Sequence, residues 1–221
     1  MTHLPISIQL INLFAAVLLL VSFAMLSQRR LVSLIDLFAM QGAVLCLSTA
    51  TVAWNTGQTH LYFSAVLTLL LKVIALPYLL HRLIRRLNVR WEAEPMLNIP
   101  STMLVGVMLV IFCFGLAQPI SELASTVTRS TLGIAMAVVM LSFLMIITRR
   151  KAVTQVIGFL AMENGLFFAA TSATYGMPMV VELSVALDVL VGMLILGVFF
   201  FQIRERFDSL DLHHMESLKE D

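Results

Sequence analysis

The sequence predicts an all-α integral membrane protein of seven transmembrane helices, two parallel three-helix repeats joined by one helix. Three observations predict it: composition, seven long apolar stretches, and the placement of the arginines. Of the 221 residues, 60% are hydrophobic and only 12% charged, against roughly 25% charged in an average soluble chain. Mean hydropathy is +0.96. A spanning helix needs about 20 mostly apolar residues, and seven stretches supply them: Pro5–Leu26, Leu31–Trp54, Leu61–Leu80, Ser101–Ala117, Thr126–Ile147, Ala152–Ala173 and Met179–Ile203.

Each stretch ends where the sequence changes character. Loop signals break the run at "NTGQTH", "NVRWEAEPMLNIP", "QPISELAS" and "TYGMP". Arg29 and Arg30 follow the first stretch. Arg82, Arg85, Arg86 and Arg90 follow the third, Arg149, Arg150 and Lys151 the fifth, and Arg204 and Arg206 the seventh. Seven crossings put all of these on one side, which the positive-inside rule makes cytoplasmic. The opposite side keeps only Arg129. The N-terminus is then outside, and no basic segment with a cleavage site precedes the first stretch. Six crossings would scatter the arginines over both faces.

The repeat is read from "QRRLVSLIDLFAMQG" (28–42) and "TRRKAVTQVIGFLAMENG" (148–165). Each joins an apolar helix to a double arginine and then to a helix containing "AMQ" or "AME". The offset of about 120 residues, four helices, makes the copies parallel. The division is 1–90 for the first repeat, 91–120 for the connecting segment, 121–206 for the second repeat and 207–221 for a cytoplasmic tail.

Several function classes drop out. A formal net charge of +1 gives no electrostatic footprint for nucleic acid. Cys46 and Cys113 are two isolated thiols in apolar runs, neither a disulfide framework nor a ligand set. The five histidines, His3, His60, His81, His213 and His214, lie at ends and loops. His213 and His214 could bind metal, but a solvated tail is the better reading. There is no Ser/His/Asp order and no phosphate loop, so no active site is expected in this chain.

Four ionisable residues lie well inside the stretches: Asp36, Lys72, Glu163 and Asp188. An ionisable residue at mid-helix costs at least about 2.5–3.5 kcal/mol on an insertion scale, and such residues usually face a protein interior and carry function. Depths of roughly 16 Å for Lys72, 15 Å for Glu163 and 13 Å for Asp188 below the outer helix ends follow from a rise of about 1.5 Å per residue. All three fall near the bilayer midplane. Asp36, about five residues inside the second stretch, lies near the cytoplasmic interface and could be only an interfacial residue. Two carboxylates and an amine at one depth suggest a lateral row able to exchange protons, because low dielectric disfavours the charged form of each. The alternative is a static pair of Lys72 with Asp188 or Glu163 that fixes helix packing. Asn164 and Gly165 read as residues for close helix packing. Pro77 is expected to kink the third helix below Lys72 and free backbone carbonyls. Arg129 and Glu182 lie near outer ends and can snorkel to water.

"TRRKAVTQVIGFLAMENGLFFAA" and "LSVALDVLVGMLILGVFFFQIRERFDSLDL" resemble the three-helix K subunit of respiratory complex I and the C subunit of Mrp-type cation/proton antiporters. That family has a glutamate in its middle helix and an acid in its last. Asp188 stands at the second position. The first falls at Leu160, with Glu163 about one turn beyond on the same face. The whole chain is similar to the E-subunit family of hydrogenase-4, on its length, its extra N-terminal helices, "AMENG" and "LLLKVIALPYLLHRLIRR". The resemblance implies a noncatalytic membrane subunit of a complex-I-like group 4 nickel–iron hydrogenase, of formate hydrogenlyase type. Glu163, Asp188, Lys72 and Asp36 would form its proton path. No cofactor is implied in this chain; the nickel–iron centre and iron–sulfur clusters would belong to partner subunits. Expected partners are antiporter-like membrane subunits, the hydrogenase peripheral arm and the lipid bilayer, in a bacterial or archaeal plasma (inner) membrane. An Mrp-type antiporter subunit and a purely structural scaffold are the rivals.

Overall fold

The computed structural model describes residues 6–57, 59–87, 98–121, 126–174, 184 and 186–194. Among these residues every regular element is helical. That follows from the solvent: in hydrocarbon each backbone N–H and C=O must be satisfied within its own segment, and an apolar helix does this. Among the described residues six helices are long and apolar enough to cross a membrane. They are the first span, Ile6–Ser27, the second, Leu31–Thr56, a third, the fourth, Ile99–Ser121, the fifth, Thr126–Thr148, and the sixth, Ala152–Thr174. The predicted seventh stretch falls mostly outside the described residues; Ser184 and 186–194 within it are helical. The tail, His213, His214, Glu182, Arg90, Arg204 and Arg206 also lie outside them, as does the side chain of Arg129.

The third span differs from expectation in length and form. It runs as α-helix over Thr59–Thr68, widens to a π-helix over Leu69–Ala75 and resumes as α-helix over Leu76–Leu87. The last piece is longer than hydropathy alone suggests. Arg82 and Arg85 are exposed, as long side chains that keep their charge in water can be, while "LPYLLHRLIRRL" continues the helical ladder. The widening ends just before Pro77, which has no N–H to give the ladder.

The first span packs on the second and the fifth, the second on the third and the sixth, and the fifth on the fourth and the sixth. Two apolar clusters result. One holds Met25, Leu34, Phe38, Leu80, Met145 and Ile157. The other holds Ala15, Leu45, Leu61, Ala135, Val138 and Phe168. On the second, third and sixth spans, Gln41, Lys72 and Glu163 fall between the residues of one cluster and those of the other. The core is therefore two apolar halves separated by a polar layer.

Small residues set how closely the spans approach. A Cβ on Gly165 would lie 3.0 Å from Val138 Cγ1 and 3.2 Å from the backbone nitrogen of Val139, which bears out its packing role. Gly165→Leu is expected to destabilise the fold by about 1–3 kcal/mol through overpacking. Thermal unfolding in detergent checks it; an unchanged midpoint would show that the fifth span yields freely. The second span ends at Gly57, whose φ of 66° is left-handed and whose N–H donates to Ala53 O at 2.9 Å, a helix stop that only glycine accepts without cost.

Candidate functional site

Lys72 lies in the widened turn of the third span, its side chain 1% exposed. Its Nζ donates to Glu163 Oε2, to Asn164 Oδ1 at 2.8 Å and to Ser184 Oγ at 3.4 Å. An ammonium has three donors, so these partners saturate it. Asp188 Oδ2 stands 3.6 Å from the same nitrogen, and the Phe167 ring centroid lies 5.6 Å away. Ser184 Oγ donates to the second oxygen of Glu163. The side chains of Glu163 and Asp188 are 5% and 2% exposed. Lys72 thus meets both of its candidate partners, Glu163 as a bonded partner and Asp188 as a close neighbour.

The polar layer extends sideways from there. Asn164 Nδ2 donates to Gln41 Oε1 at 3.1 Å. Gln41 Nε2 donates to Ser22 Oγ at 3.1 Å, and Ser22 returns its hydroxyl to Leu18 O at 2.8 Å. The connected side chains come from the first, second, third and sixth spans and from residue 184. Gly42 makes the approach possible: a Cβ there would sit 3.1 Å from Lys72 Cβ.

The sequence reading missed part of this. Asn164, which the sequence suggests for packing, also holds Lys72, and Gln41, Ser22 and Ser184 carry no charge to flag them. A signal did exist for one of them: the echo of "AMQ" in "AME" sets Gln41 against Glu163. Asp36 lies apart from the cluster. Its side chain is 66% exposed, and its Oδ1 stands 3.7 Å from His81 Nε2. His81 Nδ1 donates to Pro77 O at 2.9 Å. Asp36 and His81 thus form a partly exposed pair toward one end of the second and third spans, and the geometry does not join them to Lys72.

A second buried cation lies in the link between the fifth and sixth spans. Arg149, 1% exposed, donates through Nη2 to Leu26 O at 2.8 Å and to Met25 O at 3.4 Å. These are carbonyls of the last turn of the first span, where a helix lacks partners for its C=O groups and favours a cation. Burial pushes the Arg149 guanidinium below its ordinary pKa. Gln155 Nε2 donates to Arg149 O at 2.9 Å and holds the link in place. Among the described residues no three His, Cys, Asp or Glu side chains gather as a metal-ligand set.

Across 212 residues, 96% of this chain and 96% of the relative, the sequence is 31% identical to the uncharacterized protein Rv0085 of Mycobacterium tuberculosis. It is 21% identical to hydrogenase-4 component E of Escherichia coli K12 over 210 residues, 95% of this chain and 97% of that protein. The same figures hold for hydrogenase-4 component E of Shigella flexneri. The chain belongs to the family of these proteins. No family model matches it, and no solved structure matches it. The chain is a multi-pass membrane protein, and the similarity over nearly its whole length agrees with the family that its own motifs indicate.

Proposed function

We propose that this chain is a noncatalytic membrane subunit of a complex-I-like group 4 nickel–iron hydrogenase, of formate hydrogenlyase type, and that Lys72, Glu163 and Asp188 form part of its proton-translocation or charge-coupling path. The observation that carries the reading is the buried cluster itself: one ammonium and two carboxylates in contact, between two apolar halves of the core. Intramembrane ionisable groups that pair with one another mark ion pathways, proton relays among them. Asp36, with His81, would serve at the cytoplasmic edge of the path. The similarity to hydrogenase-4 component E supports membership of a hydrogenase complex. The nickel–iron centre and iron–sulfur clusters belong in this reading to the peripheral arm, and antiporter-like subunits receive charge along the membrane plane. The N-terminus lies outside a bacterial or archaeal inner membrane. Contact of the first span with the fifth, and of the second with the sixth, supports two parallel repeats.

A structural scaffold is the second reading, favoured by the way one hydrogen-bonded layer ties four spans together. An Mrp-type antiporter subunit would use the same cluster without redox partners. The test is Glu163→Gln in the purified complex reconstituted into vesicles. Because Asp188, 3.6 Å away, can then pair with Lys72, the isosteric change is expected to leave assembly intact and to lower redox-driven proton uptake at least tenfold. Unchanged uptake would leave the scaffold reading standing. Identification of a hydrogenase large subunit among co-purifying chains separates hydrogenase from antiporter.

A further inference from the structure

The two carboxylates of the cluster are not equivalent. With Lys72, Glu163 and Asp188 all ionised, the cluster carries one ammonium and two carboxylates, a net charge of −1 on buried side chains. An uncompensated buried charge is strongly unfavourable, and one bound proton removes it. The question is which carboxylate takes that proton.

Hydrogen bonding decides. Glu163 accepts at both oxygens, Oε2 from Lys72 and Oε1 from Ser184. Donors to both oxygens stabilise the ionised form of a carboxylate. Asp188 has neither advantage. Its Oδ2 is 3.6 Å from Lys72 Nζ, beyond hydrogen-bond length. Its Oδ1 is buried with no hydrogen-bond partner among the described residues. The charged groups that face it are Lys72 from the third span and Glu163 from the sixth. A carboxylate without donors favours its neutral form, in which the hydroxyl is itself a donor.

We propose that Asp188 carries the exchangeable proton of the cluster, while Glu163 stays ionised as the fixed counter-ion of Lys72. The proposal rests on the reading of this cluster as a proton site and assigns its parts. Asp188 COOH and its carboxylate are the two states, and the difference between them is one proton. Asp188 gives its proton to an acceptor outside the cluster and regains one from outside it, with the Lys72 ammonium 3.6 Å from its Oδ2 to face the carboxylate so formed.

The test is infrared spectroscopy of the purified full-length chain in lipid nanodiscs at neutral pH. Samples carry the 13C label in the side-chain carboxyl of aspartate or, separately, of glutamate. A carbonyl stretch of a protonated carboxylic acid is expected, shifted by the aspartate label, unmoved by the glutamate label and missing in Asp188→Asn. A band that follows the glutamate label, a band that survives in Asp188→Asn, or no such band at all would each overturn the assignment. The measurement needs no transport. Its failure is therefore distinct from a failure of the complex to move protons, which would sink the functional reading alone.

Discussion

Lys72→Met is expected to cost about 3–5 kcal/mol of stability, because removing one partner of a buried ion pair strands the other. Glu163 and Asp188 would then both have to be neutral, and Glu163 would keep only the hydroxyl of Ser184. The second-site response identifies the true partner. Replacing a whole buried pair with groups of similar volume is often neutral or stabilising. Since Glu163 is bonded to Lys72 and Asp188 is only a neighbour at 3.6 Å, adding Glu163→Gln should recover most of the loss. Adding Asp188→Asn should recover much less. Thermal unfolding of the four proteins in detergent reads this directly. Rescue by Asp188→Asn in place of Glu163→Gln would make Asp188 the counter-ion. Under the proposed function the rescued double variant assembles into the complex and still fails to drive proton uptake. Under the scaffold reading it is active.

The spans were legible because hydropathy reports directly what the bilayer requires. The row was legible for a related reason: charge inside an apolar run is costly, so Lys72, Glu163 and Asp188 stand out and a rise per residue puts them at one depth. The rest of the layer was not. Gln41, Ser22 and Asn164 are short neutral polar residues that serve helix packing as readily as hydrogen bonding, and only their neighbours on other spans decide which. Pro77 announced a disturbance of the third span but not its form. A missing N–H is as compatible with a kink as with the widened turn observed over Leu69–Ala75. Asp36 was ambiguous because its depth lies at the edge of the hydrocarbon, where an exposed carboxylate and a buried one are both affordable.

Arg149 was the residue most easily misread. In the sequence it is one of a cytoplasmic run, Arg149, Arg150 and Lys151, that reports orientation. In the fold it separates from its neighbour: Arg150 is exposed, and Arg149 is buried against the end of the first span. Part of its value is thus structural. Hydrogen bonds from charged groups contribute about 1.5–3 kcal/mol each, and the Leu26 carbonyl at 2.8 Å is the stronger of the two acceptors. Arg149→Met is therefore expected to destabilise the chain by about 2–4 kcal/mol, because the Leu26 carbonyl loses this donor while Met25 O keeps the Gln28 N–H. Arg149→Lys should fall between, because an ammonium keeps the charge but not the reach and fixed orientation of the planar guanidinium, whose Nη2 serves both carbonyls. Arg150→Met, one residue away and exposed, should stay within about 0.5 kcal/mol of the parent. Unfolding midpoints for the three variants provide the check. Equal, small effects at 149 and 150 would mean that the link between the fifth and sixth spans does not depend on this guanidinium.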